Sequence, residues 1–239
     1  MEYPYTVAWI DGMSQGTKLG RSIILAAEHA SRDDFPERKP RFPMPKRIYT
    51  VPRGIPRGLL NSTVSRIFNE FYYYQHQPVT TIQSWWSYFY PLDMVMDWCR
   101  LYGPKGFYQY QSIFPEDVAD QAIRVIVKTI HTFSHPTFLG VLKRMGDESG
   151  GWLSFPTKGL TLALDIPNLG ESTMRLFNRL YDITTDWGGR IYLAKDALLQ
   201  PHQFRVMYPN WKRSKELRTQ IDPDMRLRSQ LSARLGLDE

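Results

Sequence analysis

The sequence predicts an α+β fold: an antiparallel β-sheet with helices on one face, in ferredoxin-like order, followed by a C-terminal helical segment. The main observation behind this is the alternation of period-two and period-3.6 segments between Phe107 and Ala194, which reads strand, helix, strand, strand, helix, strand. A second is the contrast with the residues after Lys195, where short amphipathic pieces carry too little apolar residue to make a core of their own. A third is size, since 239 residues can bury a substantial core as one large domain or two small ones.

Taken in order, Tyr5–Ile10 and Gly20–Ala26 read as strands separated by an Asp11-Gly12 turn, and as neighbours they can pair. A strand so near the first residue gives the expectation that the sequence was cut from something longer. Residues 32–58 interleave Pro36, Pro40, Pro43, Pro45, Pro52 and Pro56 with Arg38, Lys39, Arg41, Lys46, Arg47, Arg53 and Arg57, a density that opposes helix and ladder alike. A loop of this kind is expected to be a lid, a binding loop or disordered, and to be mobile. From Leu59 to Phe71 the apolar spacing is helical, with Ser62 as the expected cap, and the segment 72–90 is rich in Tyr and Trp. Such aromatic clusters are more often core or interface than ligand platform.

Phe107–Phe114 is the clearest strand, with Gln109, Gln111 and Ile113 on one face and Tyr108, Tyr110 and Ser112 on the other. Pro115-Glu116-Asp117 suits the first turn of a helix whose stripe is Val118, Ala122, Val125, Ile126 and Ile130. Strands over 137–143 and 160–167 follow, the latter placing Thr161, Ala163 and Asp165 together, and then a helix from about Ser172 to Trp187. Gly188-Gly189 stops that helix, and Ile191-Tyr192-Leu193 reads as a short strand with Lys195 at its end. Beyond it come a short helix from Pro201, a segment around 212–217 and a final helix over 225–235.

Composition narrows the function. The net charge of +6 permits an anionic partner without requiring one. The basic residues of the proline-rich stretch have no aromatic platforms beside them, so a nucleic-acid partner is not expected. No apolar run is long enough to span a membrane, and the first residues show no secretory pattern. The lone Cys99 allows no internal disulfide and suits a reducing, cytoplasmic setting. Gly-x-Gly-x-x-Gly and Gly-x-x-x-x-Gly-Lys-Ser/Thr phosphate loops are absent, as are the nucleophile elbow and the zinc helix. His131 and His135 are four apart but straddle a helix end, so they read as surface or capping residues and no metal site is expected.

Two features remain as candidate chemistry. Gln109 and Gln111, one pleat apart, offer amide donors and acceptors in register for a polyhydroxylated ligand, or else lie on an exposed sheet face. Lys195 is either a fixed positive charge at a site or a solvated lysine.

A resemblance adds to this reading. The runs Tyr3–Asp11, Leu19–Ser22, Tyr90–Met94, Tyr102-Gly103-Pro104, Gln109-Tyr110-Gln111, Leu153–Pro156, Gly188-Gly189-Arg190 and Ala194-Lys195-Asp196 occur in an order that resembles the C-terminal half of vanillyl-alcohol-oxidase-type flavin oxidoreductases, in the branch holding aldonolactone oxidases. The resemblance implies that residues 1–187 form a substrate-binding domain and 188–239 a segment packing on a flavin-binding domain that lies outside this sequence. It implies FAD as cofactor and oxidation of a secondary hydroxyl on a sugar or sugar-phospholipid. Lys195 would lie at the N1/C2 carbonyl edge of the flavin ring with Tyr192 beside it as the catalytic pair. Gln109, Gln111, Lys143 and Asp165 would line the substrate pocket. A reductase acting on the keto-sugar product is an implied partner, and a lipid-linked substrate would bring the enzyme to a membrane surface. Two positions depart from the pattern. Ala163 stands where a sugar-phospholipid oxidase has cysteine, and Tyr192 stands near where aldonolactone oxidases carry histidine, which favours the sugar-phospholipid branch. The alternatives are an aldonolactone oxidase and a noncatalytic carbohydrate-binding module; the chain alone is expected to be inactive.

Overall fold

The computed structural model describes residues 3–35, 49–54 and 60–238. The expected lid over 32–58 falls mostly on 36–48 and 55–59, outside the described residues. In chain order the elements are β1 (Tyr5–Ile10), β2 (Ser22–Ala27), β3 (Tyr49–Thr50), α1 (Ser62–Gln75), α2 (Trp85–Phe89) and β4 (Val95–Met96). They continue with β5 (Phe107–Pro115), α3 (Ala119–Thr132), β6 (Gly140–Met145), β7 (Gly159–Pro167), α4 (Glu171–Asp186) and β8 (Arg190–Ile191). Three helices end the chain: α5 (Pro201–Met207), α6 (Trp211–Ile221) and α7 (Gln230–Arg234).

Six strands make one sheet in the order β2-β1-β6-β7-β5-β8, and every pairing in it is antiparallel. The four strands β8-β5-β7-β6, with α3 and α4 as crossovers, are the predicted ferredoxin-like unit; the β1–β2 hairpin extends its β6 edge. The α+β class is therefore as expected. Helices α3 and α4 bury Ile123, Ile126, Ile130, Leu176, Phe177 and Leu180 against Tyr110, Phe114, Leu162, Leu164 and Ile166 from the sheet. At about 1.5–3 kcal/mol for each large apolar side chain taken fully out of water, this layer dominates the favourable side of folding. Within it the Tyr110 hydroxyl meets Thr184 Oγ1 at 2.6 Å, so the buried phenol does not go unpaired.

Register sends the partners Gln109↔Asp165, Gln111↔Ala163, Lys143↔Thr161 and Trp9↔Val141 to the opposite face. That face is walled at the β1 end by α1, where the Tyr72 ring lies 5.0 Å from Trp9, and by the Phe68–Phe138 contact at 4.6 Å. Close approach shapes the sheet too. A Cβ on Gly159 would stand 1.9 Å from the Phe114 carbonyl oxygen, and one on Gly140 2.8 Å from that of Ile10.

Several boundaries differ from expectation for identifiable reasons. The cap of α1 is Asn61, whose side chain accepts from Thr63 N and Val64 N; Ser62 is already helical. Helix α3 starts at Ala119 because Pro115 closes β5 through its pairing with Gly159. Strand β6 begins at Gly140, where pairing with Leu164 starts, and not at residue 137. Strand β8 stops at Ile191: Tyr192 N still donates to Gln111 O (2.8 Å), but Lys195 N turns back to Tyr192 O (3.0 Å). The expected helix over 225–235 shrinks to α7, because Asp222 accepts from Arg226 N and Leu227 N and holds Met225 at φ 50°. Leu199, Phe204, Met207, Tyr208 and Leu235 are buried in the same cluster as α3 and α4, which gives the short C-terminal helices the core they lack.

Candidate functional site

The site is built from β5, β7, β6 and the turn after β8. Gln109 and Asp165 face each other across the β5–β7 ladder, and Gln109 Nε2 donates to Asp165 Oδ1 at 2.9 Å. The other carboxylate oxygen accepts from the Tyr102 hydroxyl at 3.4 Å. Tyr102 is held by stacking on Phe107, with ring centroids 4.3 Å apart. Burial, and then the neighbouring Asp165 charge, push the Tyr102 hydroxyl well above its usual range, so it stays a donor. Two residues along β5, Gln111 Nε2 donates to Thr161 Oγ1 (3.2 Å), which itself donates to Ser112 O (2.8 Å).

Lys195 is half-buried in the turn, within electrostatic reach of Asp165 and Lys143. Burial lowers its pKa and Lys143 adds to that, while Asp165 opposes both. Burial raises the pKa of Asp165, against the pull of Gln109, Lys195 and Tyr102. A carboxyl raised and an ammonium lowered within electrostatic reach of each other are a combination that candidate functional sites share with structural ion pairs.

The six expected residues lie on neighbouring strands or their adjoining turn: Gln109 bonds the Asp165 carboxylate, Lys195 is within electrostatic reach of Asp165 and of Lys143, and Gln111 lies one pleat from Gln109. Tyr192 shares the turn of Lys195, its carbonyl oxygen accepting the Lys195 backbone N–H at 3.0 Å. Its ring packs on Phe155 at 4.8 Å and shares with Gln111, Leu153 and Tyr208 the lining of a cavity of about 310 Å³. Sequence reasoning passed over Tyr102 as a site residue, although the run Tyr102-Gly103-Pro104 was visible. It also passed over Asp196, whose carboxylate takes Tyr181 OH, Leu198 N, Leu199 N and Arg234 Nη2.

The histidines correct the sequence reading in one respect. His135 is buried, bonded to Phe133 O (3.0 Å) and Thr173 Oγ1 (3.1 Å), and His131 is half-buried against Ser14 O. His135 joins the end of α3 to α4, His131 joins α3 to the loop after β1, and neither is a surface residue. Among the described residues no group of three or more His, Cys, Asp or Glu could hold a metal, and no helix is long and apolar enough to cross a membrane.

The carboxylate, the two tethered amides and the two lysines make this end of the sheet polar and hydrogen-bonding. Residues 109–235 match the family described as D-arabinono-1,4-lactone oxidase, and the chain belongs to this family. It is 32% identical over 242 residues to the decaprenylphosphoryl-β-D-ribose oxidase of Mycolicibacterium smegmatis, covering 98% of this chain and 52% of that protein. It is also 28% identical over 249 residues to an uncharacterised protein in the mprA 5′ region of Streptomyces coelicolor, covering 99% of this chain and 67% of that one. The chain spans about half the length of the first of these relatives and two thirds of the second.

Proposed function

We propose that this chain is the substrate-binding and C-terminal part of an FAD-dependent oxidoreductase that oxidises a secondary hydroxyl of a sugar or sugar-phospholipid. The observation that carries the reading is the Gln109–Asp165 pair on the sheet face with Lys195 within electrostatic reach of it and of Lys143, in a chain of the lactone-oxidase family. The residues fit the ring end of a flavin: Lys195 and Lys143 offer positive charge beside an open face. They offer no pyrophosphate cradle, since the sequence lacks both glycine-rich phosphate loops. That end of the cofactor belongs to a flavin-binding domain outside this chain, against which residues 188–239 pack in this reading.

When bound, the flavin supplies the hydride acceptor. This chain's residues do the rest by position and charge. Gln109 donates an amide N–H to Asp165 and Gln111 to Thr161, which fixes each amide and leaves its oxygen to accept from a substrate hydroxyl. Asp165, oriented by Gln109 and Tyr102, accepts from a further hydroxyl. Lys195 places a fixed ammonium where negative charge develops, and a charge already in place needs no reorganisation during the reaction. Tyr192 and the cavity beside Gln111 shape the end of the pocket.

The substrate follows the relative named for decaprenylphosphoryl-ribose. A lipid-linked sugar brings the enzyme to the cytoplasmic face of a membrane, and a keto-sugar product calls for a reductase partner. The experiment joins the chain to the flavin-binding half of the M. smegmatis relative and follows the visible flavin band by stopped flow. Bleaching by decaprenylphosphoryl-ribose is the expected result. Bleaching by arabinono-1,4-lactone alone moves the substrate to the other branch. A flavin-loaded hybrid bleached by neither substrate leaves a binding module and overturns the reading.

A further inference from the structure

The turn that carries Lys195 is fixed at both ends, and its far end is fixed by the last helix. At the near end Tyr192 N is bonded to Gln111 O of β5 (2.8 Å). At the far end Asp196, its side chain fully buried, accepts from Leu198 N (3.0 Å) and Leu199 N (2.8 Å) and so closes the chain on itself. The same carboxylate takes the Tyr181 hydroxyl from α4 (3.1 Å) and the Arg234 guanidinium from α7 (2.7 Å). Arg234 also donates to Leu199 O, so one planar fork bridges carboxylate and backbone. Helix α7 is itself pinned by buried Leu235, by its Ser229–Ser232 capping pair, and by Ser232 on Asp238, which pairs with Arg218 of α6.

We propose that Asp196 and Arg234 are positioning residues for Lys195: the C-terminal helix sets where the lysine amine stands over β5 and β7. The residue joined directly to the lysine is a fully buried carboxylate with four donors, far more than a surface turn needs. The proposal rests on the reading of Lys195 as the charge facing the reacting centre. A lysine whose turn can drift loses the value of being placed in advance, because a displacement on the order of 1 Å at a reacting centre costs about a hundredfold in rate.

The test is made on the 239-residue chain with ¹³Cε-labelled lysine, following the Lys195 resonance by NMR as pH is raised. Arg234→Lys keeps the charge but loses the fork; Tyr181→Phe keeps the core ring but removes one donor. In each, the Lys195 titration is expected to move up toward the ordinary lysine value of 10.5 as the amine leaves its half-buried place, while β5–β7 amide shifts stay those of the wild type. If Arg234→Lys does not fold, Tyr181→Phe decides alone. A Lys195 titration identical to wild type in a folded variant that merely melts earlier overturns the proposal: the pair would then be structural only. The reading beneath it fails separately, through a Lys195→Ala hybrid that reduces its flavin at the wild-type rate.

Discussion

At the scale of single residues, the site holds two ionised groups that the fold disfavours and that partly repay each other. Lys195 is pushed down by burial and by Lys143 and drawn up by Asp165. Asp165→Asn removes the attraction, so the Lys195 titration is expected to fall below its wild-type position, a shift readable from the same ¹³Cε resonance. The carboxylate has a stability signature as well. Its folded pKa lies above the ordinary 3.8, so the stability linked to it is present below that value and lost as pH rises through the folded value. Above that value ionised Asp165 costs stability. Asp165→Asn is expected to melt higher than wild type at pH 7, by about 2–4 °C for each kcal/mol recovered, with the gap closing in acid. A thermal melt series across pH checks both sign and window. For catalysis, Lys195→Ala in the flavin-loaded hybrid should slow flavin reduction on the order of a hundredfold and leave substrate affinity nearly unchanged. Gln109→Ala should do the reverse, weakening binding by about 1–2 kcal/mol. If the lysine variant shifts affinity alone, Lys195 is a pocket residue and its assigned role is wrong.

Elements explain why some of this was readable and some was not. Period two groups Gln109 with Gln111 along Phe107–Phe114 and Asp165 with Thr161 and Ala163 along 160–167, and the β5–β7 register then joins the two sets on one sheet face with Gln109 opposite Asp165. No local pattern predicts Tyr102 on Asp165, 63 residues away, or Arg234 on Asp196, 38 away, because such pairs exist only once the helices dock. The α4–β8 corner lies between these cases. Two glycines announce a helix stop, and Gly188 at φ +64° supplies it. Gly189 serves another end: a Cβ there would meet Ile113 O and the Phe114 ring at 2.8 Å. Gly189→Ala is expected to cost about 1–3 kcal/mol through that overpacking, measured by urea denaturation. The α3–α4 junction carries a pH dependence of its own. Burial depresses the His135 pKa below 6.5, so the stability linked to a neutral ring is present above that value and lost as pH falls below it. Burial depresses His131 with the same sign. His135→Gln should therefore flatten the decline in melting temperature between pH 7 and 5, and an unaltered slope would show that the junction does not carry it.

For the molecule as a whole, the proposed reading makes the sheet, its ferredoxin-like core and the docked C-terminal helices a platform for one end of a reaction, with the affinity for a dinucleotide residing at the other end. Tight binding of FAD draws chiefly on backbone amides converging on the pyrophosphate, commonly at a glycine-rich turn opening a helix, where the dipole and unpaired N–H groups favour the anion. The ring end contributes orientation and charge, and in this reading that is a lysine pair and one carboxylate, which leave about one net positive charge for an added anion to meet. The 239 residues contain neither phosphate-binding glycine pattern, and a net charge of +6 gives only screened, unspecific attraction at physiological salt. Isothermal titration of the chain with FAD is therefore expected to show no saturable binding in the micromolar range, about 8 kcal/mol. Joining the flavin-binding half should produce it, and Lys195→Ala in that hybrid should leave the affinity within about threefold, because the lysine acts where charge develops and not where the cofactor is held. Micromolar binding by the chain alone would mean that a phosphate site exists in it that neither glycine motif marks, and the division of labour argued here would have to be redrawn.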